Sequence, residues 1–283
     1  MFRFSAVTLV FAVATLPAVG QQKKMLETNG FGSLSGKVTL VGKIPDVIDL
    51  VPKMKLHVDK DCCLAGKPNE KIDQTWMVDP KSKGIANVVI WVKAPNDTYF
   101  PIPDKLKNRK DKVVIDQPHC AYVPRVSAAN LEYFDGTKYV FTGQTLLFKN
   151  SAVSPHNVMA VGHVSKNPGF NRQIAPKTEF DAIKDFKPGE HLKPQLLPIN
   201  LQCNAHTWMS AKLFMFDHPY YAITKADGTF EIPMVPAGAE ISVMSWHEGI
   251  GWAFKEGKAG RPITIENGKK HTLDFELKAP VGD

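Results

Sequence analysis

The apolar residues of this chain fall in short runs, alternating or β-branched, and turn residues interrupt each run before a helical period can repeat. Residues 33–41 alternate and stop at Gly42, and 86–92 form a compact run rich in Val and Ile. Similar short segments recur at 112–115, 139–141, 145–149, 156–161, 196–202, 211–216, 220–224, 229–232, 240–246 and 271–277. A helix needs apolar positions at i, i+3, i+4 and i+7 over several turns, and no stretch supplies them. The polar, proline-bearing stretch 165–194 offers one short helix at 179–186, where Asp181 and Asp185 suit caps. The predicted class is all-β, with strands stacked as sandwiches.

The N-terminus has a different character. Arg3 is the sole charge before Lys23, residues 4–16 are largely apolar, and small residues precede Gln21. This reads as a secretory signal over 1–20. The apolar run is shorter than the roughly 20 residues a bilayer span needs, and Pro17 interrupts it. The expected location is therefore periplasmic or extracellular, with no membrane span. The net charge of +7 is spread over short lysine groups such as Lys105, Lys107 and Lys110. Such a distribution is a solvated surface first and a docking face for an acidic partner second. Nothing in it has the aromatic-and-basic interleaving of a nucleic-acid binder.

Four cysteines are too few for a disulfide framework in a chain of 283 residues. If Cys203 is a metal ligand, the simplest arithmetic is one disulfide from Cys120 to either Cys62 or Cys63, with one thiol left over. The competing arrangement is a Cys120–Cys203 disulfide, which would leave no metal centre.

Cys203-Asn204-Ala205-His206-Thr207-Trp208-Met209 carries the chemistry. A thiolate, two imidazoles and a weak thioether form a trigonal site that suits Cu(I) and Cu(II) alike. One tight loop between strands can supply Cys203, His206 and Met209, and a neighbouring upstream strand must supply the second imidazole. His156, in Ser154-Pro155-His156-Asn157-Val158, fits that requirement. These two segments resemble the cupredoxin family, which includes plastocyanin, azurin and pseudoazurin. Together with His218-Pro219-Tyr220 they resemble, more narrowly, secreted bacterial plastocyanin-like proteins of the methylamine-utilisation group. The resemblance implies one copper ion held by His156, Cys203, His206 and Met209, with Asn157 steadying the Cys203 loop. It also implies that His206 is the exposed ligand, inside an apolar ring to which Trp208 and Phe214 contribute. Pro124-Arg125-Val126 departs from the Pro-His-Val that such proteins often carry.

Two further pieces, 36–42 with 87–92 and 222–238, resemble the halves of a transthyretin-like domain of the kind appended to carboxypeptidases. In the second piece Asp227-Gly228 suits a hairpin turn, because glycine accepts positive φ. The expected layout is a signal at 1–20, transthyretin-like pieces at 21–110 and 219–283, and a Greek-key cupredoxin sandwich at 111–218 between them. His57, His163, His191 and His271 have no partners at ligand spacing and read as surface or satisfied histidines. His247 reads as a hydrogen-bonded histidine at a strand end.

The expected function is exported one-electron transfer through a single copper, with a redox partner protein the sequence does not identify. The runner-up is a non-catalytic cell-envelope or polysaccharide-binding module with a vestigial or storage copper site. No enzyme is expected, since four protein ligands leave no open position for substrate.

Overall fold

The computed structural model describes residues 23–187 and 189–280, so the expected signal at 1–20 lies outside the described residues. The protein is nearly all β. Among the described residues the helices are the short Val51–Lys55, Lys60–Leu64 and Asp104–Lys107 and two 3-10 turns. None is long and apolar enough to cross a membrane.

One β unit is a five-stranded sheet facing a three-stranded one. The larger sheet runs Phe170–Ile174, His156–Val161, Ile199–Gln202, Ser210–Met215 and Val126–Ala129. Its pairs are antiparallel except the last, which is parallel. The smaller sheet is Thr178–Asp181, Thr145–Asn150 and Lys112–Asp116. Alternation sends Leu146, Phe148, Val158, Ile199, Leu201 and Leu213 into the shared core.

The second β unit is built from both ends of the chain. Phe31–Val41 pairs with Thr229–Pro236, Lys270–Thr272 and Phe275–Lys278. Val89–Lys93 lies between Tyr221–Ile223 and Glu240–His247. Val38 and Ile232 share one core with Ile90, Tyr220 and Val243.

The two units meet through a third apolar cluster that explains why 86–92 does not alternate. Ile90 and Val92 point into the second unit's core, whereas Val89 and Trp91 point the other way. There they meet Val126, Ala128, Phe214 and Phe216 from the first unit. Trp91 lies 5.7 Å from Phe214 and 5.6 Å from Phe216, ring centre to ring centre. A strand buried on both faces has no polar side to show, so its sequence is continuously apolar.

Several sequence expectations are corrected. The 179–186 helix is the end of strand Thr178–Asp181 followed by a turn, in which the Asp181 carboxylate accepts the Ile183 N–H at 2.8 Å. Asp227-Gly228 forms the expected hairpin turn: Gly228 lies at φ 82°, its N–H donates to the Lys225 carbonyl and the Lys225 N–H donates to the Thr229 carbonyl, both at 2.9 Å. Beyond the turn the strands diverge, Tyr221–Ile223 pairing with Val89–Lys93 and Thr229–Pro236 with Phe31–Val41, and Gly228 packs so close to the Val38 carbonyl that no Cβ would fit. Residues 50–64, placed by sequence with the N-terminal transthyretin-like piece, pack on the first unit instead. Leu50, Met54, Cys62 and Cys63 are buried in its core. Phe214 is fully buried in the cluster between the units, so it belongs to no surface ring.

Candidate metal centre

Backbone register brings the expected donors together. Gln202 pairs with Ser210, so residues 203–209 close a loop between adjacent antiparallel strands. Inside it Met209 N–H donates to the His206 carbonyl at 2.8 Å, and Cys203 N–H donates to the Met209 carbonyl at 3.2 Å. His156 opens the neighbouring strand, whose Met159 lies opposite Gln202. Its Nδ1 is 3.9 Å from Cys203 Sγ, and Nδ1 of His206 is 3.7 Å from the same sulfur. Met209 is buried in the core beside them.

Those separations test whether a metal ion fits. An ion ~2.3 Å from a thiolate and ~2.05 Å from an imidazole nitrogen sets S···N at ~3.8 Å for a trigonal angle and ~3.6 Å for a tetrahedral one. Both observed distances bracket the trigonal value. Both imidazoles are also held in the neutral, ligating form. Burial, then neighbouring His206, pushes His156 down to about 4. Burial, then His57, lowers His206, and Asp59 opposes the shift.

Asn157 fastens the loop to the His156 strand. Its Oδ1 accepts the Asn204 N–H at 2.7 Å and lies 3.3 Å from Cys203 Sγ. Its Nδ2 donates to Asn171 at 2.7 Å and Asn204 at 3.1 Å. Beneath it the buried Tyr122 hydroxyl sits 2.8 Å from the Asn157 carbonyl and 2.9 Å from that of Gln202, tying the two ligand-bearing strands together.

The main departure from expectation is at His206, which has no exposed surface. Segment 51–64 covers it. The His57 ring lies 4.5 Å from the His206 ring and meets Trp208 edge-on at 5.4 Å. His57 Nδ1 accepts the Asp59 N–H at 3.1 Å, so its proton is on Nε2, which donates to the Ala205 carbonyl at 3.0 Å. Asp59 places one oxygen 3.2 Å from His206 Nε2 and accepts the Ser154 hydroxyl on the other at 2.9 Å. A Cys63–Cys120 disulfide closes this cover, leaving Cys62 and Cys203 as free thiols. The Cys120 sulfur is within 4.8 Å of ring nitrogens of His156 and His206, but its valence is taken by the disulfide.

His57 is thus the residue beside the candidate centre that sequence spacing missed. It stands alone as a histidine in its segment, and the signal that would have found it is Cys63 a few residues on, tied to Cys120 beside the centre. The other histidines behave as read. His163 and His191 bond Ser165 and Glu132, and His271 accepts the Glu266 N–H.

His247 lies in the second unit, fully buried and 4.3 Å from the Trp76 ring. Burial pushes it down to about 4 from 6.5. The unfolded chain therefore takes up a proton between pH 6.5 and 4 that the folded chain refuses. Stability should be fully present above pH 6.5 and fall through that window by about 3 kcal/mol on this group's account. Urea unfolding at pH 7 and pH 4.5 checks this. His247→Gln should flatten part of the slope, and His156 and His206, shifted in the same direction, should retain the rest.

No protein-family description and no curated protein matches this chain. Among solved structures, an amicyanin variant in the Cu(I) state is 13% identical, covering 37% of this chain and 82% of its own, with a TM-score of 0.26. A purple cupredoxin from Nitrosopumilus maritimus is 13% identical, covering 38% of this chain and 99% of its own, with a TM-score of 0.25. The donor atoms of this chain carry the metal-site argument.

Proposed function

We propose that this chain is an exported one-electron carrier with a single copper held by His156, Cys203, His206 and Met209. The observation that supports it most is the pair of Nδ1 atoms facing one thiol sulfur at 3.7 and 3.9 Å, near the spacing a trigonal ion requires. Bound copper would supply the Cu(I)/Cu(II) couple.

The residues around the donors do the rest. Asn157, Tyr122 and the Cys203–Met209 backbone bonds fix the loop before any metal arrives. A preformed donor set changes little between oxidation states, which keeps reorganisation small. The buried core around Cys203 and Met209 excludes water. Four protein donors leave no coordination position for a substrate, so the reading is a transfer module and not an enzyme. The second β unit, read as transthyretin-like, serves as its scaffold.

The test is to express the chain from Gln21, add Cu(II), and record the visible spectrum with voltammetry beside Cys203→Ser. An intense thiolate-to-copper band and a reversible one-electron wave, both lost in the variant, are the expected result. A colourless wild-type protein that binds no copper overturns the reading.

A further inference from the structure

We propose that the segment around His57 is the docking face for an acidic electron-transfer protein, with electrons crossing between that partner and His206 by way of the His57 ring. The proposal rests on the electron-carrier reading and names the class of its partner.

A partner cannot touch His206, which is wholly buried. Two groups stand between it and solvent: Asp59, 3.2 Å from its Nε2 and 26% exposed, and His57, the aromatic one, its ring 4.5 Å away and its side chain 22% exposed. Leu56 and Val58, on either side of His57, are 90% and 92% exposed. Large aliphatic side chains left this open gain nothing for the fold, and clustered ones mark contact surfaces. The Ser154–Asp59 hydrogen bond brings in Val153, which is 70% exposed. The His57–Ala205 bond and the Trp208 edge extend the patch over the ligand loop.

Charge selects the partner. Lys53, Lys55 and Lys60 are all exposed beside the patch, against one outward acid, Asp61. The Asp59 carboxylate, 26% exposed, is engaged by His206 and Ser154, so the basic residues still outnumber the acids three to two. An apolar centre with a basic edge fits a flat apolar surface bordered by carboxylates, in the small, wet-rimmed class of transient redox contacts. One electron passes from the reduced protein to the oxidised one. No covalent bond is made or broken, and no proton moves.

Titration calorimetry of the full chain, metal-free and in the Cu(I) form, with a reduced acidic c-type cytochrome reads docking apart from electron transfer. The affinity should fall steeply with salt. Leu56→Ser/Val58→Ser should weaken it about tenfold or more, and Lys53→Glu/Lys55→Glu/Lys60→Glu should abolish it. In stopped flow with the copper form, Leu56→Ser/Val58→Ser should slow reduction by the cytochrome by a similar factor. Reduction by hexaammineruthenium(II) should stay within about twofold, because a small reagent needs no docking patch. His57→Leu should slow both while keeping the visible band. Binding that is absent, insensitive to salt, or unchanged in both surface variants overturns the docking face. Salt-sensitive binding by a chain with no reversible copper wave overturns the electron-carrier reading and the His57 path, and leaves the contact surface supported.

Discussion

Replacing Cys63 and Cys120 together by serine should lower the unfolding free energy by about 4 kcal/mol. The two half-cystines are 57 residues apart, and closing a loop of that length removes chain entropy of this order from the unfolded state. Both must be replaced, because Cys62 is a free, buried thiol next to Cys63 and could take its place. The loss should be local as well as global. Without the disulfide the 51–64 cover is held by Leu50 and Met54 burial and by the His57–Ala205 and Ser154–Asp59 bonds. Amide hydrogen exchange should therefore rise first in this segment and in loop 203–209, ahead of the second β unit. Denaturant unfolding of the double variant beside Cys62→Ser checks the magnitude. A loss below about 1 kcal/mol would mean the cover stands without its cross-link.

The second large effect is expected at Arg125. Its guanidinium grips both carboxylate oxygens of Glu248 at 2.9 Å, joining the two β units. Its third nitrogen donates to the Ser210 carbonyl at 2.6 Å, one residue past Met209. Breaking a buried ion pair by removing one partner costs about 3–5 kcal/mol, since the other charge is left stranded. Lys212, 3.4 Å from Glu248, offsets part of this, so Arg125→Met should lie near the lower end. Arg125→Met/Glu248→Gln should recover much of the loss, as neither charge then remains buried. A double-mutant cycle by urea unfolding measures it, and simple additivity would show that the pair is not coupled.

What was legible in the sequence follows the range of the interactions involved. Strands such as 139–141 and 156–161 fall where alternation and turn residues put them, because both signals are local. Cys203, His206 and Met209 are readable as a loop for the same reason, and the strand opened by His156 lies beside it as the sequence reading required. The strands Val126–Ala129 and Glu132–Phe134 were not legible. The first is buried throughout, packed between the two units, and the second has the pattern buried–intermediate–intermediate and does not alternate as its partner Tyr139–Phe141 does. The short helices at 51–64 were missed because they are each five residues long and stand by packing Met54 and Cys63 into a distant core. The burial of His206 follows from that packing, so no local pattern around His206 announces it.

The pairing of Phe31–Val41 with strands beyond residue 228 bears on how the chain is assembled. Every described strand of the first unit, the disulfide and the His57 cover have been made by residue 218, whereas the two main sheets of the second unit still lack seven of their nine strands. Non-local pairing of this kind forms slowly, after contacts already within reach. Biosynthesis thus has a built-in order: the first unit can mature first, and the second closes last, when strands from 229 onward reach back to Phe31–Val41.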